Sequence, residues 1–194
     1  MTQADATASV LVVDDERPVA ELYERWLTDA GYDVRVAHSG EAALERVSST
    51  FDVVCLDRQL PDKSGVEVLS DIRSREIDTR VTMITGVEPD FDIVEMPFDE
   101  YLVKPVSRSE LLDAVSSLSD LSSYDSVIRQ YFALSSKKAT LQEMKPDDAL
   151  DESDEYHSLV DKLEATRSRA TAASAELEHE EYATLFRDFD SDAR

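Results

Sequence analysis

The chain has 194 residues, enough for one compact domain and an appendage, with 43 acidic against 20 basic side chains and a formal net charge of −23. Its single cysteine, Cys55, excludes an internal disulfide, and no apolar run approaches the roughly 20 residues that span a bilayer. Residues 1–8 are polar without a basic cluster, so they read as a disordered N-terminus rather than a signal peptide, and the protein is expected to be cytoplasmic and without membrane contact.

Residues 9–13 form a short apolar run and predict a buried strand that ends on Asp14, Asp15 and Glu16. Val19, Leu22, Tyr23, Trp26 and Leu27 recur at helical spacing over 17–30, and Gly31 terminates that helix. Residues 32–37 alternate as a second strand. Ser39 caps a helix carrying Ala42, Ala43 and Val47. Residues 52–56 are a third strand, with Cys55 as a small buried apolar residue, followed at once by Asp57 and a polar loop with Pro61, Lys63 and Gly65. A helix over 66–72 and a fourth strand over 80–84 follow. Pro89 and Pro97 bracket an acidic segment, so a helix there has about two turns at most. Residues 100–103 are a fifth strand, ended by Lys104-Pro105, and Ser107 caps a helix with Leu111, Leu112, Val115 and Leu118. Five strands alternating with helices predict an α/β fold, a doubly wound parallel sheet. Right-handed crossovers then place every carboxyl strand end on one edge.

After about residue 120 the strand patterns stop. Val127, Ile128, Tyr131, Phe132, Leu134, Leu141 and Met144 predict a helix over 124–144. Pro146 and the acidic run 147–155 separate it from a second helix carrying Leu159, Leu163, Thr166, Ala170, Ala173 and Leu177, with Leu185, Phe186 and Phe189 prolonging the pattern. A helical hairpin or antiparallel coiled coil is expected. His157 and His179 have no partners at metal-ligand spacing and read as solvated. Lys137, Lys138 and Lys145, the tail's basic cluster, read as balance against the acidic connector, and Arg167 and Arg169 as solvated.

Asp14, Asp15 and Asp57 come from the ends of two strands expected to be neighbours. Crowded like charges repel, so such a cluster calls for a cation. No cysteine is near, and His38 leaves a different strand, so the ligands are all oxygen, which suits Mg²⁺. Thr85 and Lys104, from two further strand ends, supply a hydroxyl and an ammonium for an anion's oxygens. Phosphoryl transfer is largely positioning and charge neutralisation, and a carboxylate can be the nucleophile, so transfer of a phosphoryl group to Asp57 fits.

In that order, Asp14-Asp15, Asp57, Pro61, Gly65, Thr85, Tyr101 and Lys104-Pro105 resemble the receiver domain of two-component response regulators over residues 9–119. The resemblance implies a flavodoxin-like fold and phosphorylation of Asp57 by a sensor histidine kinase. It implies Mg²⁺ on Asp15, Asp57 and the backbone carbonyl of Gln59, with Asp14 helping through water. It also implies Lys104 and Thr85 on phosphoryl oxygens, Tyr101 as a switch aromatic, and a cis Lys104–Pro105 bond. Two departures stand out: only 18 residues separate Thr85 from Lys104, and Pro97-Phe98 replaces the usual Gly-Ala. The helix between strands four and five is therefore expected to be short or irregular, which bears on the usual signalling face.

Pro89-Asp90-Phe91-Asp92-Ile93, followed by Tyr101-Leu102-Val103-Lys104-Pro105 and the helical tail over 120–194, resembles haloarchaeal regulators with a HalX domain. The base composition, 14 Arg and 6 Lys, agrees with a salt-accumulating archaeal source; an ordinary acidic protein is the alternative. Residues 120–194 hold 18 acids and 9 bases, so a protein–protein output through the tail, as a homodimer or with another regulator, is favoured over direct DNA binding. A Mg²⁺-dependent phosphatase on the same carboxylates is the other alternative. It lacks an acid two residues after Asp57, where Gln59 stands. No turnover of an external substrate is expected.

Overall fold

The computed structural model describes residues 7–121 and 126–176. The disordered segment expected at 1–8 lies mostly outside these residues. So do Leu177, His179, Leu185, Phe186 and Phe189.

Five strands are present: β1 (Ser9–Val13), β2 (Asp33–Ala37), β3 (Val53–Leu56), β4 (Arg80–Thr85) and β5 (Glu100–Val103). All pairings are parallel, and the order across the sheet is β2-β1-β3-β4-β5. The chain winds one way from β1 and the other way from β3. The loops leaving these two strands therefore part and open a crevice at their carboxyl ends.

Helices α1 (Arg17–Asp29), α2 (Gly40–Arg46), α3 (Gly65–Ser74) and α4 (Arg108–Leu121) cover the two faces. Ser39 caps α2 as expected, accepting from Ala42 N at 3.2 Å. Ser107 forms a reciprocal cap with Glu110 at the start of α4. Ser64 and Glu67 form a capping box at α3, a Ser-x-x-Glu signature legible in the sequence. One core layer holds Val10, Val12, Val53, Cys55 and Ile84 against α1 and α4. The opposite layer holds Leu11, Val13, Val54, Leu56, Val81 and Met83 against α2 and α3. This is the alternation of a sheet covered on both sides.

Between β4 and β5 stands one 3-10 helix, Phe91–Glu95, capped by Asp90. The tail forms α5 (Ser126–Met144), α6 (Asp147–Asp151) and α7 (Asp154–Glu176). Helices α5 and α7 pack on each other, as the expected hairpin does, and both also pack on the sheet domain. Leu134, Leu141, Leu150, Tyr156 and Leu159 join the core layer of Val81, Met83 and Phe98. Helix α5 lies against β5, so the edge strand is covered rather than left open.

Two expectations are corrected. The acidic run after Pro146 is partly helical, as α6, because Asp147 and Asp148 sit in its first turn, where the helix dipole favours acids. Two of the three lysines do not balance that run: Lys145 pairs with Asp90 at 3.0 Å, and Lys137 is buried in the interface.

Candidate functional site: a carboxylate cluster at the crevice

The pairing of Val13 with Leu56 brings the ends of β1 and β3 side by side. Asp14 and Asp57 follow directly, and with Asp15 their carboxylate oxygens lie within 4.8 Å of one another. Asp14 and Asp57 are buried, while Asp15 is exposed. Asp57 Oδ1 accepts from Gln59 N at 3.0 Å and Asp14 Oδ1 from Glu16 N at 2.9 Å, so each carboxylate is oriented by its own loop. This all-oxygen set fits a hard divalent cation such as Mg²⁺.

Lys104, at the end of β5, reaches across the crevice. Its Nζ donates to Asp57 Oδ2 at 2.6 Å and to Asp14 Oδ2 at 2.7 Å, with Glu16 at 3.6 Å. Burial alone would pull the ammonium's pKa down, but its hydrogen bonds to Asp14 and Asp57 outweigh that and hold it above the usual lysine value. Burial pushes the Asp14 carboxyl above its ordinary range, with Lys104 opposing. The Lys104–Pro105 bond is cis.

Glycine is required at position 65 by contact. A Cβ there would lie 2.1 Å from the Asp57 carbonyl oxygen and 2.9 Å from Arg58 Cα. The start of α3 therefore presses against the Asp57 backbone, and Gly65 N donates to Arg58 O at 2.9 Å.

Thr85 ends β4 and is fully buried. Its Oγ1 accepts from Val87 N at 3.2 Å. Tyr101 is buried too, and its hydroxyl donates to Val87 O at 2.8 Å. Thr85 and Tyr101 thus hold the two polar groups of one residue, Val87.

Three features escaped the sequence reading. Arg58 Nη2, beside Asp57, ion-pairs with Asp92 of the 3-10 helix. Asp62 accepts from Gly40 N and Glu41 N, each at 2.8 Å, and ties the loop after β3 to the start of α2. His38, expected to lie away from the site, places its Nδ1 3.0 Å from the Asp14 carbonyl oxygen, because Val13 pairs with Ala37. None of these contacts has a local signal, since each joins segments distant in sequence.

A wound parallel sheet of this strand order, with carboxylates and one ammonium gathered at its crevice, defines a receiver-type module. The chain belongs to the response regulator receiver domain family, whose model matches residues 10–116. The HalX domain model matches residues 120–186. A protein of Haloferax volcanii named as a transcriptional regulator is 46% identical over 171 residues, covering 88% of this chain and 29% of that protein. The transcriptional regulatory protein DltR of Streptococcus agalactiae is 36% identical over 107 residues, covering 53% of this chain and 48% of that protein. The chain therefore spans less than half the length of these curated relatives. Among solved structures, the response regulator TrrA of Thermotoga maritima in complex with Mg(2+)-BeF is 34% identical with a TM-score of 0.53, covering 58% of this chain and 99% of that one. The haloarchaeal relative supports the archaeal, halophilic reading of the composition. Among the described residues, no helix is long and apolar enough to cross a membrane.

Proposed function

We propose that this protein is a phosphorylation-controlled response regulator in which Asp57 accepts a phosphoryl group from a phosphohistidine on a sensor kinase. The single observation that carries this reading is the Asp14–Asp57–Lys104 arrangement, two buried carboxylates sharing one ammonium beside a third, exposed carboxylate. In the proposed reaction an Asp57 carboxylate oxygen attacks phosphorus, an acyl phosphate bond forms, and the P–N bond to the kinase imidazole breaks. Asp14, Asp15, Asp57 and the Gln59 backbone carbonyl would hold Mg²⁺, whose charge offsets that of the phosphoryl oxygens. Lys104 passes from the Asp14–Asp57 bridge to a phosphoryl oxygen. Thr85 turns its hydroxyl from Val87 to another, and Tyr101 follows through its own bond to Val87.

Residues 9–119 act as the receiver and 120–194 as the output unit, in a cytoplasmic protein. The reading is of a switch rather than an enzyme with an external substrate, since Gln59 offers no carboxyl where a hydrolase would place its proton donor. The output is read as protein–protein, with a second copy or another regulator. Three of the tail's lysines are engaged by the chain's own receiver, which leaves less cation for DNA phosphates. The name of the haloarchaeal relative favours the second reading, a DNA-directed output.

Acetyl phosphate with Mg²⁺ is expected to add one phosphoryl group to the intact chain, and Asp57→Asn to abolish the addition. Equal incorporation by the two proteins would overturn the assignment.

A further inference from the structure

The acidic segment between β4 and β5 is gripped from two sides. From the tail, Lys145 pairs with Asp90 at 3.0 Å and Lys162 with Glu95 at 3.0 Å. Lys137 donates to the carbonyls of Val94 at 3.1 Å and Met96 at 2.5 Å, and its ammonium lies 4.9 Å from the centre of the Phe98 ring. Phe98 in turn packs on Tyr101, ring centres 5.5 Å apart. From the site, Arg58 holds Asp92. Each acid of the segment 90–96 thus answers either to the tail or to the residue beside Asp57.

We propose that segment 90–96 is the element through which the tail reads the phosphorylation state of Asp57, with Lys137 as the tail residue that senses it. This rests on Asp57 being the phosphoacceptor. A phosphoryl group adds about two negative charges at neutral pH. Placed one residue from Arg58, it competes with Asp92 for that guanidinium. The same event draws Thr85 from Val87, and so disturbs Tyr101 and the Phe98 ring beneath Lys137. Both routes end on the segment that the tail lysines hold.

Magnitudes decide what the signal does. Lys145–Asp90 and Lys162–Glu95 are exposed on the acid side, and such pairs contribute at most about 1 kcal/mol and less in salt. Lys137 is different. Its ammonium is buried without a carboxylate partner, a costly arrangement that depends on the two carbonyls and the ring staying in place. An open cleft bordered by Arg73, Arg80, Phe98 and Arg129 runs along this contact, with Lys137 itself in its lining. The apolar side chains of α5 and α7 in the shared core hold far more than the 1–3 kcal/mol typical of a coupling between sites. Phosphorylation therefore loosens the grip of α5 on the 3-10 helix without detaching the hairpin.

The test is hydrogen exchange on the full chain, with acetyl phosphate and Mg²⁺ present or absent, and with incorporation read from the mass of the same samples. Exchange at Ile93–Met96 and along the middle of α5 is expected to become about tenfold faster on phosphorylation, with α7 unchanged. Arg58→Ala should produce part of that increase without a phosphoryl group. Lys137→Met should incorporate phosphate as the parent does but lose the change in α5. Normal incorporation with unaltered exchange in both segments would overturn the proposal while leaving Asp57 as acceptor. Absence of incorporation at Asp57 would overturn both.

Discussion

Lys104 Nζ sits 2.6 Å from Asp57 Oδ2 and 2.7 Å from Asp14 Oδ2, so one ammonium bridges two buried carboxylates that follow different strands and offsets part of their charge. Without it, the two acids face each other with only the backbone N–H groups of Glu16 and Gln59 to offset their charge.

Lys104→Met is therefore expected to destabilise the protein by about 3 kcal/mol in the presence of a chelator, the usual consequence of breaking a buried pair. Millimolar Mg²⁺ should restore part of the loss, because a cation held by the same carboxylates binds the folded state alone. Urea unfolding of parent and variant, each with chelator and with Mg²⁺, measures both terms. A variant as stable as the parent in chelator would contradict the bridge.

Gly65→Ala should displace the loop that follows β3. The added methyl would meet backbone at 2.1 Å rather than the tip of a flexible side chain, so Asp57 or α3 must shift. A loss of about 2–3 kcal/mol is expected. Slower labelling by acetyl phosphate should accompany it, since the Asp57 carboxylate is oriented by the same loop. Gly31→Ala also meets strain, at a φ of +99°, but lies away from the site, so it should lose stability and keep its labelling rate.

Burial lowers the Lys137 pKa to about 8 from 10.5, with Asp99 and Glu95 opposing and Lys162 reinforcing the shift. The sign follows from the folded value lying below the unfolded one. The unfolded chain binds more protons between pH 8 and 10.5, so this residue's contribution to stability grows as pH rises through that window and is lost as pH falls through 8. Lys137→Met removes the term while Asp99, Glu95 and Lys162 stay. The parent should therefore gain on the variant by up to roughly 3 kcal/mol from neutral pH to pH 10. Denaturant midpoints of the two proteins at several pH values provide the comparison, and parallel curves would refute the shift.

Forty-three acids against 20 bases repel one another in dilute buffer. At molar salt the screening length falls to about 3 Å, and most of that repulsion disappears. Thermal melts should rise by roughly 5 °C or more from low to molar KCl, equivalent to a few kcal/mol for a chain of this size. A flat melting temperature would show that these acids are already compensated in the fold.

The sheet and the acidic crevice were legible because they rest on local signals. Short apolar runs closed by turn residues give strands, alternation with helical patterns gives parallel winding, and right-handed crossovers put Asp14, Asp57, Thr85 and Lys104 on one edge. Ser39 and Ser107 announced their helices by the same local chemistry. The short segment between Thr85 and Lys104 foretold an incomplete helix, and the 3-10 turn Phe91–Glu95 is what stands there. What fills the space was decided only by tertiary structure. Lys137, Lys145 and Lys162 look like ordinary solvent-facing charges in sequence, because their partners at Val94, Asp90 and Glu95 lie 43, 55 and 67 positions away. Arg58 shows no sign of Asp92, 34 residues on. Helical spacing says that a face must be buried but not against which surface. That choice depends on the gap left by the missing helix, on the edge of β5 that α5 covers, and on the charge of the segment that borders them.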